Sequence, residues 1–454
     1  MRIGVSLLVT ALAVAAGPAL ANNNQVLRGP VPSWVVASEL LPVPEGATGL
    51  VYVRRQERLV HFDARGLASY FAYRMRILHP NALQLGNLQV AWNPADGAPT
   101  VHAIRVHRGD QVIDVLETAS FEILRREGQL EAASLDGVLT AVLRIPDLRV
   151  GDEVEVALTT READPTLGGN DAGQIGLSPE PPPGRYRIGL SWEAGHEPRL
   201  QMTPDMSAAA VRRSGGITFD FDDPTPVTPP NDAPPRYRWQ RMVEYSDYPD
   251  WAAISRHFAP LYAAAARLDP ESPVKQEARR IAAAHSDPLE RARAALRLVQ
   301  QQVRYVYVGL DGGNYTPATA DQTWQRRYGD CKGKTALLLA LLGELGIVGE
   351  PVLVNNNGGD DGLDERLPNP GMFDHVLVRA HIGGADYWLD GTLPPVAAPS
   401  LEPVIGYRWT LPITAQGSSI ARRDWTPDET PGELSLYEID AVPASISPRG
   451  SRRR

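Results

Sequence analysis

The sequence predicts an α+β fold, an N-terminal antiparallel β-sandwich-like domain followed by an α+β domain, and three observations carry that reading. Apolar residues recur with period two through residues 34–225, the spacing of half-buried strands. Beyond residue 245 the period becomes the 3/4 spacing of helices, and it returns to alternation after Phe373. Between the halves, Asp222 to Pro235 holds six prolines, which is the composition of an extended connector. The expected layout is a leader at 1–21, a β-rich domain at 34–225, a proline-rich linker at 226–245, a second domain at 246–410 and an irregular tail at 411–454.

Composition narrows the functional classes. Of 454 residues, 43% are hydrophobic and 22% charged, with a mean hydropathy of -0.24, which excludes a disordered chain, collagen and a polytopic membrane protein. Lys and Arg total 45 against 54 Asp and Glu, so no nucleic-acid footprint is expected. A single cysteine, Cys331, excludes an intramolecular disulfide and every CxxC metal or redox site.

The chain opens like a secretory signal. Arg2 supplies the positive end, Ile3 to Ala16 the apolar core, and Gly17-Pro18 precedes a small-x-small site at Ala19-Leu20-Ala21. Cleavage after Ala21 is expected, because this apolar run falls short of the roughly 20 residues that span a bilayer. The periplasm is the expected compartment, with full secretion as the alternative, and the mature chain is expected to carry no integral membrane segment.

Three stretches exemplify the first domain. Phe71, Tyr73, Met75 and Ile77 alternate with Tyr70, Ala72, Arg74 and Arg76; Val154, Val156 and Leu158 do the same, as do Tyr186, Ile188, Leu190 and Trp192. Pro181-Pro182-Pro183-Gly184 breaks the run between strands. In the second domain, Ser272-Pro273 and Asp287-Pro288 each set a capping side chain before a proline at the first helical position, and Asp287 with Glu290 forms a capping-box pattern. Leu289, Ala292, Leu296 and Val299 then make an apolar stripe for core packing.

The most informative segment runs from Arg327 to Gly346. Gly329-Asp330 is a turn and cap, Leu337, Leu338, Leu341, Leu342 and Leu345 share a face, and Cys331 falls in the first helical turn. There the unpaired N–H groups and the helix dipole favour the thiolate, which is the nucleophile. Lys332 and Lys334 bring positive charge nearby in directions the sequence does not give. A thiolate doing acyl chemistry needs a base, and the base needs an orienting acceptor. His375 opens a strand, Gly383-Gly384 turns it, and Tyr387 to Thr392 returns. A two-residue turn there places His375 and Asp390 as diagonal neighbours on one face. His381 is a rival base beside the turn, and Asp374 and Asp386 are rival acceptors of the wrong parity.

These motifs together resemble the bacterial transglutaminase-like superfamily. Gly329-Asp330-Cys331-Lys332, Asp374-His375-Val376 and Tyr387-Trp388-Leu389-Asp390-x-Thr392 follow the family's chain order, with Val303 to Val306, Tyr315-x-Pro317, Arg326 to Tyr328 and Asp250-Trp251 upstream. Residues 34–225 are similar to the uncharacterised β-rich domain that commonly precedes such cores in envelope proteins, most visibly at Ile145-Pro146 and Val150 to Val154. The resemblance implies a papain-like core in which Cys331 attacks an amide carbonyl, His375 carries the proton and Asp390 orients the imidazole. It implies no cofactor and no metal, and a protein or peptide substrate bearing an amide side chain or peptide bond, with cell-envelope components as further partners. Acyl transfer to an amine or to water is the expected activity; the alternative is a non-catalytic scaffold or binding module of the envelope, which full burial of Cys331 with no groove above it would favour.

Gly333 stands where relatives carry an acidic residue, and past residue 410 the chain offers one strand, Leu434 to Ile439, before its arginine-rich end, the pattern of a shortened C-terminus. The backbone N–H of Cys331 is the expected oxyanion donor, with Gln302, Tyr305 and Trp324 as candidates for a second. Asn355 to Glu365 is rich in oxygen ligands but lacks EF-hand spacing, and is expected to be a solvated loop.

Overall fold

A computed structural model describes residues 23–94, 96–125, 138–162, 164–306, 315–394 and 406–423. The leader through Ala21 and the strand expected at Leu434 to Ile439 lie outside them. The architecture is α+β. No described helix is long and apolar enough to cross a membrane.

In the first half a large sheet runs in the spatial order Leu27–Arg28, Thr100–Arg108, Glu153–Glu162, Gly66–Ile77, Val51–Asp63, Gly184–Trp192, Gly216–Asp222, Ala210–Arg213, with Gln111–Asp114 also paired to Thr100–Arg108. A smaller sheet of Asn87–Trp92, Leu139–Arg144 and Glu122–Arg125 belongs to the same half. Val101, Ile104, Val154 and Val156 of the large sheet share one core with Leu143 and Ile145. The sheet is mixed, where an antiparallel one was expected: Gly184–Trp192 runs parallel to Val51–Asp63, and Leu27–Arg28 parallel to Thr100–Arg108. Period-two alternation records which face a side chain takes, and is blind to the direction of the neighbouring strand. The sheet's second face is covered as well. Trp34 stacks on His61 at 4.9 Å and packs with Val35 over Leu59, Tyr70 and Ala72, so strands that read as half-buried carry an apolar patch on their second face as well.

The proline-rich stretch ends in structure. Within the span expected as a linker, Met242–Ser246 forms the centre of a three-stranded sheet between Ala172–Gly176 and Arg199–Met202. Val243 and Tyr245 join the first core, while the buried Glu244 pairs with Arg366, which also donates to Gln174 at 3.0 Å and lies over Trp239. Arg236 pairs with Asp361 at 2.8 Å, and Ser246 donates to the Pro368 carbonyl at 2.5 Å. The middle of the chain is thereby fastened to residues 360–368, the segment leading toward His375.

The second half follows its caps. Asp250, Ser272 and Asp287 start Trp251–Ala265, Pro273–Ala284 and Pro288–Gln302, accepting from the N–H of Ala253, Val274 and Glu290 at 2.7, 3.1 and 2.9 Å. The Glu290 carboxylate meets Arg293 at 2.7 Å. Ala292, Leu296 and Val299 are buried, as their stripe requires. These helices surround Cys331–Glu344, which lies against an antiparallel sheet in the order Ala385–Leu389, His375–Ile382, Val348–Val354, Trp409–Pro412, Ala421–Arg422. That helix is buried on nearly every side through Leu342, the half-buried Leu339 excepted. Leu337, Leu338, Leu341 and Leu342 pack on Val378, Ala380 and Leu389.

Candidate active site

The site assembles where the central helix begins beside the sheet. Asp330 is the N-cap: its Oδ1 accepts the N–H of Gly333 at 2.9 Å, which fixes the first turn and makes Cys331 the first helical residue. Gly333 is small for a local reason. A Cβ there would sit 2.8 Å from Thr323 Oγ1, so a larger side chain would have to displace Thr323. One turn on, Thr335 Oγ1 donates to the Val376 carbonyl at 3.2 Å, tying the helix to the strand that begins with His375.

The hairpin has the register that the Gly-Gly turn dictates. Gly383 and Gly384 both take positive φ, 60° and 84°, the conformation of a two-residue type I′ turn. Ile382 faces Ala385 and Val378 faces Leu389. Asp390, the residue after the strand, therefore reaches His375 diagonally: His375 Nε2 lies 2.9 Å from Asp390 Oδ2. The other carboxylate oxygen accepts from Thr392 N at 2.8 Å and Thr392 Oγ1 at 2.6 Å, while Gln300 holds the Asp390 carbonyl at 3.0 Å. With Nε2 committed, Nδ1 is the ring nitrogen left for exchange with Cys331, which acts on the imidazole together with Asp390.

The electrostatics follow from burial and pairing. Cys331, His375 and Asp390 are 0%, 2% and 3% exposed. Burial alone would lower the imidazole, yet hydrogen bonds with Asp390 and Cys331, together with their charges, outweigh it and push His375 up to about 10. Burial likewise opposes ionisation of Asp390, but His375 and the two Thr392 donors hold its carboxyl below the usual range. His375 is thus held as the imidazolium, paired with the Asp390 carboxylate, at neutral pH.

Each of the two lysines has an oxygen partner. Lys332 is buried and pairs with the cap Asp330. Lys334 donates to the Val303 carbonyl at 2.5 Å. Burial pulls its ammonium down to about 8 against the attraction of Asp390.

The rival residues are engaged elsewhere. His381 is 62% exposed and paired with Asp386 at 2.9 Å beside the turn; Asp374 accepts from Asn356 N at 2.7 Å and from Asn357 Nδ2 at 2.5 Å. Of the candidate second donors, Gln302 is exposed and Trp324 is buried in the helical core beneath Arg327. Tyr305 packs beside the cluster that contains Cys331. The oxygen-rich stretch at Asn355 to Glu365 is less solvated than expected. Asp360 and Asp361 are buried, Asp360 accepting from the backbone of Arg408 and Trp409 at 2.6 and 2.9 Å, and Asp361 meeting Arg236 and Arg408.

Sequence reasoning missed Tyr262. Its ring belongs to the cluster around Cys331, and its hydroxyl is buried without a hydrogen-bond partner. The signal was present as the stripe Trp251, Ile254, Phe258, Tyr262 at helical spacing, in which tyrosine is the only member with a hydroxyl to satisfy.

A family model, the domain of unknown function DUF3857, matches residues 66–228. No curated protein matches the chain. Among solved structures, a candidate protease of Parabacteroides distasonis ATCC 8503 is 16% identical, covering 83% of this chain and 72% of its own, at a TM-score of 0.60. The periplasmic domain of TgpA from Pseudomonas aeruginosa, 17% identical, covers 64% of this chain and 87% of its own at a TM-score of 0.20. A candidate cysteine protease of Cytophaga hutchinsonii, 12% identical, covers 72% and 75% at 0.17. The chain shares its fold with the first of these.

Proposed function

We propose that the protein is an exported, transglutaminase-like cysteine enzyme that performs acyl transfer on amides. The supporting observation is the continuous connection from Cys331 at a helix start, through His375, to the buried Asp390. The thiol's proton resides on His375; Sγ attacks the carbonyl carbon, an S–C bond forms and the carbonyl π pair moves to oxygen. Collapse of that intermediate expels the amine, which takes the proton from His375 Nδ1, leaving a thioester. An amine or a water then completes transfer or hydrolysis, with His375 accepting the proton of the incoming nucleophile. Asp390 keeps Nε2 protonated and steadies the imidazolium. The protein acted on is a peptide or protein of the cell envelope, reached after cleavage following Ala21, and residues 34–225 bind or position it. The leader assignment expects an intact mass for the exported chain that begins at Asn22, and an uncleaved N-terminus refutes it.

The test is alkylation of the mature protein by iodoacetamide from pH 5 to 10, with His375→Ala alongside. The enzyme reading expects fast reaction at pH 6 that His375→Ala abolishes. A slow, high-pH profile shared by both proteins refutes it. Incubation with a labelled primary amine and a glutamine-bearing peptide then separates the outcomes, since incorporation reports transfer and ammonia without incorporation reports hydrolysis.

A second reading, the non-catalytic envelope scaffold, is favoured by one observation, the complete burial of Cys331. It expects no alkylation of the folded protein at any pH and full alkylation in denaturant.

A further inference from the structure

Among the buried groups that the catalytic reading leaves without a task is the hydroxyl of Tyr262. Tyr262 lies in the fourth turn of Trp251–Ala265, a helix that packs across Cys331–Glu344. The residue is 2% exposed, and its hydroxyl has no hydrogen-bond partner. Burying an unsatisfied hydroxyl costs about 1–3 kcal/mol, so the position asks for an explanation. Replacing tyrosine by phenylalanine would remove that cost and keep the ring.

The place of the hydroxyl supplies one. Its ring shares a buried cluster with Cys331, on a helix that packs across Cys331–Glu344, and the charges that act on the hydroxyl are those of Cys331 and Asp330, the residues at the start of that helix. The N–H of Cys331, at the first helical position, has no intrahelical partner either. Burial foremost, and then the neighbouring negative charges, push the phenol well above its ordinary range, so it keeps its proton and stays a donor wherever the enzyme works. The cluster it shares with Cys331 includes Ile254, Phe258 and Val376, apolar side chains that keep the local dielectric low.

We propose that Tyr262 Oη donates the hydrogen bond that stabilises the oxyanion formed when Cys331 attacks an acyl carbonyl, with the Cys331 N–H as the second donor. This rests on the catalytic reading above and names the donor that reading lacks. As Sγ bonds to the carbonyl carbon, the π pair moves to oxygen, and the new negative charge takes the O–H of Tyr262 as a hydrogen bond without proton transfer. When the intermediate collapses, the pair returns and the leaving amine takes its proton from His375. An acceptor that exists only during the reaction accounts for a hydroxyl unpaired in its absence.

The test compares two reactions of Cys331 in wild type and Tyr262→Phe. Acylation by p-nitrophenyl acetate, read as p-nitrophenol release, passes through an oxyanion; alkylation by iodoacetamide, read by mass, does not. Removing one oxyanion donor lowers the rate about 10²–10³-fold. The expected result is a loss of that size in acylation, alkylation unchanged in rate and pH profile, and a Tm equal to or above wild type. Equal acylation rates overturn the proposal. A parallel fall in both reactions also overturns it, because the hydroxyl would then be placing the thiol. So does a lower Tm, which would mean the hydroxyl is already bonded. If wild-type Cys331 alkylates independently of His375, the catalytic reading itself fails and this inference falls with it.

Discussion

Asp390→Asn puts the electrostatic argument at risk, because it changes one atom of the buried chain and leaves the shape. In the wild type Oδ1 accepts two hydrogen bonds from Thr392 and Oδ2 faces His375 Nε2 at 2.9 Å. An amide has one acceptor oxygen, which the two Thr392 donors claim, so its NH₂ group meets Nε2 donor to donor. The ring then keeps its proton on Nδ1, the nitrogen that must receive the thiol's. Without the carboxylate, burial is opposed only by Cys331, and His375 falls from about 10 toward 6.5 or below. At pH 7.5 the imidazolium drops from about 99% to about a tenth or less. Acyl-transfer rates should fall by about 10³–10⁴.

Stability carries a second signature of the same change. A raised histidine contributes stability that is fully present below about 6.5 and is lost as pH rises toward 10. A depressed carboxyl contributes stability present above about 4 and lost in acid. The wild-type advantage over Asp390→Asn should therefore be greatest near pH 5–6 and shrink on both sides. Breaking a buried pair costs about 3–5 kcal/mol, and the retained Thr392 bonds put this variant at the lower end, about 3 kcal/mol. For a domain of this size that is a Tm difference of about 6–12 °C. Thermal melts of both proteins at pH 4, 6, 8 and 10 measure it. A gap that is flat across pH, or that widens toward pH 10, refutes the assignment of the proton to His375.

Other substitutions test the frame around the site. Lys334→Met should change its effect with pH: burial depresses the ammonium to about 8, so folding is penalised below that value and the wild type gains stability between about pH 8 and 10.5, whereas the variant does not; urea melts at pH 7 and 10 compare the two slopes. Arg366→Met strands the buried Glu244, and Tm should fall by about 6–20 °C, given about 3–5 kcal/mol for an orphaned buried charge. Adding Glu244→Gln should recover part of that loss, and no recovery would count against the pair. Gly184→Ala forces a Cβ to 1.9 Å from the Val53 carbonyl oxygen at a φ of 146°, so the large sheet should fail to form, read as lost soluble yield or an early first melting transition.

Much of the second half was legible because its signals are local. Asp250, Ser272, Asp287 and Asp330 cap the helices they precede, and the Gly383-Gly384 turn alone sets the parity that brings Asp390 to His375. The first half was legible as strands but not as a sheet. Parallel pairing of Gly184–Trp192 with Val51–Asp63 joins segments more than a hundred residues apart, and no local pattern encodes direction at that range. The strand Met242–Ser246 was hidden behind prolines that end seven residues before it, where composition outweighed a short Met-Val-Glu-Tyr alternation.

The directions of charged side chains were the least legible part, for a physical reason that bears on the chemistry. Lys332 and Lys334 on one helical turn suggested two cations at the thiol, but a buried ammonium must find oxygen. Asp330 and the Val303 carbonyl are the oxygens within reach. Cation placement is thus decided by which acceptors the fold offers. In the proposed reaction His375 is the charge partner of Cys331, and the task of meeting a new negative oxygen falls to neutral donors. A neutral donor suits that task better, because it strengthens as charge develops in the transition state and does not hold the resting sulfur in an unproductive pair. The same requirement that buried polar groups be satisfied accounts for the oxygen partners of Lys332 and Lys334, and it draws attention to the unpaired hydroxyl of Tyr262 in the cluster that holds Cys331.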